Sequence, residues 1–238
     1  MSTKIIVIIA LVLVTTTLLS LSILHRPTEL LEKEEQKDMG EKIKLLEPCN
    51  TSNTSVETAL SQRRSIRAYS GDKLTFEEVS QLLWSAQGIT APWGGRTAPS
   101  AGALYPLELY LVVGDVEGID KGVYRYRPEE HELEKVTEGD IRAELADAAL
   151  GQECVRDAAI DIVFTAVYER TTRKYGERGI RYAHMEAGHA AQNVYLQAVA
   201  LDLGTVVIGA FNDSEVAKIV NVSEQGNPLY IMSVGRKG

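Results

Sequence analysis

The distribution of apolar positions divides the chain into predicted helices and strands. Helical spacing predicts helices over residues 76–86, after a Thr75 cap, and over 141–150, 180–203 and 214–220, with another beginning after Ser55. Apolar runs rich in β-branched residues predict strands over residues 107–114, 160–167, 205–208 and 229–234, and residues 122–127 and 131–136 alternate like a hairpin. Helices and strands interleave while hairpins also occur. The pattern therefore predicts an α+β fold with a mixed central sheet flanked by helices.

The N-terminal quarter has a different pattern. Residues 5–24 are uncharged and mostly apolar, and as a helix they would reach about 30 Å, the thickness of a bilayer core. We interpret residues 1–25 as an uncleaved single-pass membrane anchor, with a cleaved signal peptide as the alternative. Residues 26–55 predict a juxtamembrane helix, because Ile43, Leu45 and other apolar residues have loose helical spacing, and then a polar linker. The folded domain is expected over residues 56–238.

Two acceptor sequons in the linker bear on the side of the membrane. Asn50-Thr51-Ser52 and Asn53-Thr54-Ser55 both fit the pattern for N-glycosylation, which occurs on exported surfaces. The positive charges on the two flanks of the apolar segment nearly balance. The sequence therefore favours, weakly, a domain that faces away from the cytoplasm.

Composition narrows the possible functions. The formal net charge of −8 provides no overall field that would attract nucleic acid. Cys49 and Cys154 are the only cysteines, too few for a disulfide framework or a cysteine-rich metal site, although a single bridge between them stays open. The four histidines show no metal-ligand spacing. We therefore expect no metal, and a chemistry that depends on other groups.

A heptad rich in arginine, residues 63–69, stands out in this acidic chain. Its sequence Arg-Arg-Ser-Ile-Arg-Ala-Tyr places Arg63, Arg64, Ser65 and Arg67 within five positions. The planar fork of arginine donates two parallel hydrogen bonds to a phosphate, so the heptad is a candidate anion site, with a solvated basic turn as the alternative. We expect the helix that follows Ser55 to continue through the heptad, which would put Arg67 one turn beyond Arg63 and Arg64.

Three further segments accompany the heptad. They are the Pro-Ser-Ala-Gly-Ala-Leu-Tyr-Pro loop at residues 99–106, the Gly-Thr-Val-Val-Ile-Gly-Ala-Phe run at 204–211, and the terminal Gly-Arg-Lys at 235–237. With the heptad, in this order, they resemble the FMN-dependent nitroreductase superfamily, and most closely its SagB-type (azoline dehydrogenase-like) branch. The resemblance covers about residues 57–237 and implies a three-layer nitroreductase-like fold that binds FMN as a homodimer.

The resemblance assigns residues to the two ends of the flavin. At the phosphate end, the expected ligands of the phosphate and ribityl chain are Arg63, Arg64 and Ser65, closed by Arg236 and Lys237. At the ring end, Arg67 would reach the N1/O2 edge, and a backbone N–H of Gly209 or Ala210 would donate to N5, with Ile208 behind the ring. By the same resemblance, the loop residues Pro99, Ser100 and Gly102 would come from the partner subunit. Small residues there let the backbone approach a flat ring.

Two features of the remaining sequence concern the substrate and the dimer. Lys174-Tyr175 resembles the pair that SagB-type dehydrogenases use near the substrate, where it would assist removal of a proton. The long helix carries small residues suited to close contact with a partner helix: Ala183, Ala187, Gly188, Ala190 and Ala191. His189 lies among them, and we interpret it as a hydrogen-bonded structural histidine.

The expected function is FMN-dependent oxidoreduction with hydride transfer through flavin N5. NAD(P)H is a candidate donor, and a dehydrogenase of a small or peptide substrate is a second form of the same activity. No Rossmann glycine fingerprint is present, so a nicotinamide would stack on the flavin instead of occupying a domain of its own. The alternatives are a membrane-anchored flavin dehalogenase similar to iodotyrosine deiodinase, and a flavin-binding module without catalysis.

Overall fold

The computed structural model describes residues 40–238, and within this range the folded unit spans Glu41–Gly238. The helices are α1 (Val56–Gln62), α2 (Phe76–Gln87), α3 (Arg142–Ala148), α4 (Glu153–Arg156), α5 (Glu169–Tyr175), α6 (Arg178–Ala200) and α7 (Asp213–Ile219), and a 3-10 turn covers Ala101–Ala103. The strands are β1 (Lys42–Lys44), β2 (Leu107–Val113), β3 (Gly122–Arg127), β4 (Glu132–Glu138), β5 (Ile160–Val167), β6 (Leu203–Ile208) and β7 (Gly226–Arg236).

The seven strands form one sheet in the order β1-β4-β3-β2-β5-β7-β6. Each pair of neighbouring strands is antiparallel. The prediction of a mixed sheet is therefore wrong. Helix α7 shows why, because it connects β6 to β7, which are adjacent and antiparallel. A helix between two strands in the sequence does not require a parallel crossover.

The sheet is covered by helices on both faces, as a three-layer fold requires. All residues of β2 and β5, the long apolar runs in the sequence, are buried, because these strands lie in the middle of the sheet. One core contains α2 and α6 residues such as Leu82 and Ala187, and the other contains Leu145 of α3, Val155 of α4 and Val216 of α7. The prediction of an α+β fold with flanking helices is confirmed.

Capping signals located the starts of α1 and α2 correctly, whereas the sequence did not predict α4 and α5. The Ser55 hydroxyl caps α1 by accepting the N–H of Thr58, and Thr75 and Glu78 form a complete capping box at α2. The end of α6 differs from the prediction. The helix ends at Ala200, followed by Asp202 in the left-handed region at φ 56°, and Gly204 lies inside strand β6.

The segment before residue 56 is partly incorporated in the sheet. Strand β1 pairs with β4, and Leu45 is buried in the core, so the juxtamembrane helix predicted here is wrong at residues 42–44. Ile43 and Leu45 stand two apart, which fits a strand as well as a loose helical pattern. The predicted anchor at residues 5–24 lies outside the described residues. Within residues 40–238, no helix is long and apolar enough to cross a membrane.

Candidate functional site

The arginine-rich heptad is extended and lies against the end of the sheet. Helix α1 ends at Gln62, and the Ile66 N–H donates to the Thr205 carbonyl of β6 at 2.9 Å. Further on, Tyr69 forms an antiparallel bridge with Lys237. The expected helical continuation is therefore wrong, and Arg67 does not lie one helical turn from Arg63. The backbone hydrogen bond to β6 replaces the one that a helix would have provided.

Two glycines allow the heptad to lie this close to the sheet. A Cβ atom at Gly204 would come within 2.8 Å of the Ile66 side chain. A Cβ atom at Gly235 would come within 2.8 Å of the Tyr69 ring. Both positions need the absence of a side chain, so these glycines fix the path of the heptad.

The three arginines of the heptad have no carboxylate partner among residues 40–238. The Arg63 guanidinium lies 5.0 Å from the centre of the Tyr195 ring. Arg64 donates to the carbonyls of Ser61 and Arg63 at 3.0 and 2.7 Å, and Arg67 is exposed. The heptad therefore presents three positive charges that this part of the chain does not neutralise.

Tyr195 of α6 connects the heptad to β6, a role that the sequence did not reveal. Its hydroxyl lies 3.1 Å from the Ser65 hydroxyl and accepts the Val207 N–H at 2.9 Å. The only signal in the sequence was a tyrosine on the buried face of a helix, which is common in any core. Ser65 is held by this contact beside the arginines.

A buried carboxyl group lies under the heptad without offsetting its charge. Asp161 of β5 is fully buried and accepts a hydrogen bond from the Ser233 hydroxyl at 2.5 Å. Burial raises the pKa of Asp161 to about 8, so it is largely protonated at neutral pH. Burial, with the Asp161 charge as a smaller cause, also raises the pKa of Tyr69 and of Cys154, while the Arg67 charge acts in the opposite direction on both.

The two C-terminal cations, which the resemblance assigned to the phosphate, are paired within the chain. Arg236 makes a two-pronged ion pair with Glu78, with N–O distances of 2.8 and 2.9 Å. Glu78 also accepts the Thr75 N–H in the α2 capping box. Lys237 donates to Asp202. Both cations are thus already neutralised, unlike those of the heptad.

The end of β6 offers free backbone donors. Gly209 and Ala210 are exposed, and neither N–H donates to an acceptor within residues 40–238. The Ala210 carbonyl accepts from the Gln152 side chain at 3.1 Å, which fixes the turn. Ile208 is buried in the core of its own chain. The geometry leaves two N–H groups available to a ligand.

A second cluster combines the loop at residues 99–103 with Lys174 and Tyr175. Gly102 lies in the left-handed region at φ 64°, and a Cβ atom there would meet the Tyr175 hydroxyl at 2.7 Å and the Lys174 ammonium at 2.9 Å. The Ser100 hydroxyl accepts the Tyr105 N–H at 2.9 Å, which closes the loop. The predicted flavin loop and the predicted catalytic pair are therefore in contact within one chain.

The Lys174–Tyr175 pair is ordered by its neighbours. Both residues lie at the end of α5, which stops at Gly176 with φ 57°. The Lys174 ammonium lies 5.4 Å from the centre of the Tyr175 ring, and that ring stacks edge-on against Tyr182 at 5.1 Å. Two groups with exchangeable protons thus stand together, with Lys174 exposed and Tyr175 half-buried.

Helix α6 carries both clusters. Tyr195 contacts the heptad, and Glu186 lies beside Ser100, nine residues or about 13 Å earlier along the helix. Glu186 is buried, and burial raises its pKa to about 7, while Ser100 and the Arg96 charge act in the opposite direction. One rigid helix therefore sets the spacing of the two clusters.

The exposed face of α6 differs from the predicted one. Ala183, Ala187, Ala190 and Ala191 are buried in the core of their own chain, and only Gly188 of the five small residues is exposed. The alanines pack under the sheet because a long helix must cross it closely. His189 is exposed and makes no hydrogen bond within the described range, so the expectation of a hydrogen-bonded histidine is wrong.

A cavity of about 820 Å³ lies beside α6 but apart from the heptad. Its lining includes Trp84, Leu196 and Gln197, together with the segment that contains the two sequons. Exposed Val56 at its edge and Leu60 leave an apolar face on α1. Cys49 lines this cavity, while Cys154 is buried elsewhere, and both are free thiols.

Comparisons with known proteins agree with this architecture. The profile of the Nitroreductase family matches residues 60–236. A protein of Methanocaldococcus jannaschii named as a nitroreductase, MJ1384, is 47% identical over 199 residues, which are 84% of this chain and 99% of the relative. The Escherichia coli microcin B17-processing protein McbC is 31% identical over 171 residues, 69% of this chain and 63% of McbC. A crystal structure of a nitroreductase-like protein from Anabaena variabilis superposes with a TM-score of 0.75 at 34% identity, covering 84% of this chain and 42% of that one.

Proposed function

The chain belongs to the nitroreductase family of oxidoreductases, with similarity to the SagB-like branch, and we propose that it uses FMN to oxidise or reduce a small or peptide substrate. The observation that carries this proposal is the extended heptad, where Arg63, Arg64 and Arg67 have no carboxylate partner within residues 40–238. Cations that the fold leaves without counter-charge suit a ligand that brings its own negative charge.

The residues present fit the phosphate of FMN. Arg63 is oriented by the Tyr195 ring, and the Ser65 hydroxyl is held beside it, so a phosphate would meet a partly ordered set of donors. Arg64 adds a third donor at the surface. Arg236 and Lys237 have no such role in the proposal, because each already has a carboxylate partner.

The ring end of the site is proposed at the turn after β6. Gly209 and Ala210 present free N–H groups there, and such donors suit a ring nitrogen. The Arg67 cation would favour negative charge on the bound ring. FMN, when bound, would supply transfer of a hydride through its N5 atom.

Lys174 and Tyr175 are proposed to handle the proton. Oxidation of a substrate by loss of hydride also releases a proton, and Lys174 or Tyr175, which lie together above Gly102, would receive it in its deprotonated form. The name of McbC refers to processing of a peptide, and this similarity supports a peptide as the substrate. In the opposite direction of electron flow, NAD(P)H would reduce the flavin, and the substrate would be reduced in turn.

A homodimer is proposed to complete the site. In one chain, Tyr195 at the heptad and Glu186 at the loop are nine residues apart, about 13 Å along the axis of α6. The partner subunit would bring its loop with Pro99, Ser100 and Gly102 to the heptad. The apolar residues Val56 and Leu60 of α1 are exposed and would be covered in such an assembly. We also propose that residues 5–24 tether the dimer to a membrane, with the domain outside the cytoplasm.

The test is identification of the cofactor on the purified full-length protein. We expect a yellow protein that releases FMN, not FAD, on denaturation, and that sediments as a dimer. NADPH oxidation with a quinone acceptor would measure turnover. Colourless protein that does not bind added FMN would contradict the cofactor, and a monomer that retains FMN tightly would contradict the shared site.

A further inference from the structure

A small cavity of about 280 Å³ lies over β2 and β3, where α5 begins, and the proposed function does not use it. Charged side chains dominate its lining, among them Arg96, Arg125, Arg127, Arg170, Glu108 and Glu129. The heptad is not part of it. Such a concentration of arginines around a recess needs either internal carboxylates or a ligand to balance it.

Glu108 is the centre of this cavity. Glu108 is only 7% exposed. Arg125 and Arg170 both donate to the same carboxylate oxygen, Oε1, and the distance from Arg125 is 2.7 Å. The other oxygen, Oε2, is buried and has no hydrogen-bond partner within residues 40–238. An unsatisfied buried carboxylate oxygen is costly, so the site is incomplete as it stands.

The charges around the cavity leave one cation in excess. Arg96 pairs with Glu129 at 2.9 Å, and Arg127 pairs with Glu134 at 3.7 Å. On the same face, Lys42 pairs with Glu132 at 3.0 Å.

Two guanidiniums, by contrast, share the single carboxylate of Glu108. Arg125 and Arg170 are each less than half exposed, so water only partly compensates their charge. One bound monoanion would therefore balance the charge of the side chains around the cavity.

We propose that this cavity binds the C-terminal carboxylate of a peptide or of an N-acylated amino acid. The carboxylate would accept hydrogen bonds from Arg125 and Arg170, which carry further N–H donors. The amide N–H next to it would donate to Glu108 Oε2, the oxygen that now has no partner, once the Glu108 side chain turns this buried atom towards the ligand. A single ligand of this class thus supplies both missing groups, an anion and a donor.

The size and position of the cavity agree with this ligand. Its volume is just below the roughly 300–1,000 Å³ of pockets for drug-sized molecules, which suits one or two terminal residues. Arg170 precedes Lys174 by one turn of α5 and donates to the Tyr105 carbonyl at the end of the 99–105 loop. A bound terminus would therefore lie next to the second cluster, although its binding does not depend on FMN.

Calorimetry on the full-length protein tests the proposal. The probes are N-acetyl-alanyl-alanine with a free carboxylate and the same peptide as its C-terminal amide. We expect the acid to bind at least about tenfold more tightly than the amide, the effect of one charge-assisted contact. Arg125→Gln removes the excess cation but leaves Arg170 to pair with Glu108, and should weaken binding of the acid about tenfold.

Arg156→Gln is the matched control, because it removes an arginine from an exposed ion pair with Asp147 far from the cavity. It should leave the affinity of the acid unchanged, and thermal unfolding of both variants would show that they fold. Equal binding of acid and amide, no binding of either, or unchanged binding by Arg125→Gln would each overturn the proposal. Acetate that binds as tightly as the dipeptide would overturn the peptide ligand. FMN content, measured on the same samples, separates failure here from failure of the flavin assignment.

Discussion

The heptad and the C-terminus carry the same kinds of side chain in opposite situations. Arg63, Arg64 and Arg67 have no carboxylate partner within residues 40–238, whereas Arg236 and Lys237 are paired with Glu78 and Asp202. Arg63, Arg64 and both C-terminal cations were expected at the phosphate, and Arg67 at the flavin ring. The difference teaches that the fold decides which cations of a binding motif keep an uncompensated charge.

The largest effect is expected from Asp161, the buried acid beneath the heptad. Its pKa is about 8 in the folded protein, against 3.8 for an ordinary aspartate, so between these values the folded state holds a proton that the unfolded chain has lost. The free energy of unfolding should therefore fall as the pH rises through this window, by about 1.4 kcal/mol per pH unit from this group.

Asp161→Asn should remove that slope, and urea unfolding at several pH values between 5 and 8 measures it. Asp147→Asn, at an exposed ion pair, is the control and should keep the slope of the wild type. Parallel curves for the wild type and Asp161→Asn would mean that Asp161 is charged in the folded protein.

Arg63→Ala should have the next largest effect. It removes a phosphate donor that Tyr195 orients, and FMN binding should weaken by about 1.5–3 kcal/mol, or roughly 10–150-fold. Fluorescence titration of FMN measures the affinity. Arg236→Ala is the matched variant, since its guanidinium is engaged with Glu78 and its loss should leave FMN affinity nearly unchanged. Equal losses of FMN affinity in the two variants would contradict the proposal that the heptad, and not the C-terminus, binds the phosphate.

Arg236→Ala should instead reduce stability. It leaves the Glu78 carboxylate, 14% exposed, without its two-pronged partner, at a cost of about 1–2 kcal/mol in the free energy of unfolding. Chemical denaturation measures the change. Lys237→Ala serves as control, because its partner Asp202 is almost fully exposed and such pairs contribute about 0–1 kcal/mol. No loss of stability in Arg236→Ala would show that the Glu78 pair is not structural.

Arg67→Ala should have the smallest effect on binding and a different one on chemistry. Its side chain is exposed and is proposed to act on the ring, so FMN affinity should fall by less than in Arg63→Ala. The reduction potential of the retained flavin should become lower, because a cation that favours the reduced, negative ring is lost. Potentiometric titration measures it. An unchanged potential would remove the separate role of Arg67.

Local features of the fold were predictable from the sequence. The caps at Ser55 and Thr75 depend on residues three apart, and the strand over Ile160–Val167 depends on a mostly apolar run rich in β-branched residues. The conformation of the heptad was not predictable, since it depends on a hydrogen bond between Ile66 and Thr205. The strand β1 was missed for the same reason, because only pairing with β4 distinguishes it from a helical turn.

The candidate site divides along the same line. Arginine, serine and glycine in a short motif identify a capacity to bind an anion, and the sequence alone determined that capacity. Tertiary structure decided which cations stay free. It also decided that Tyr195 holds Ser65 and that Gly102 meets Lys174 and Tyr175. The physical reason is that charge pairing and close approach act through space, between residues that the sequence places far apart, whereas capping and periodicity act between near neighbours in the chain.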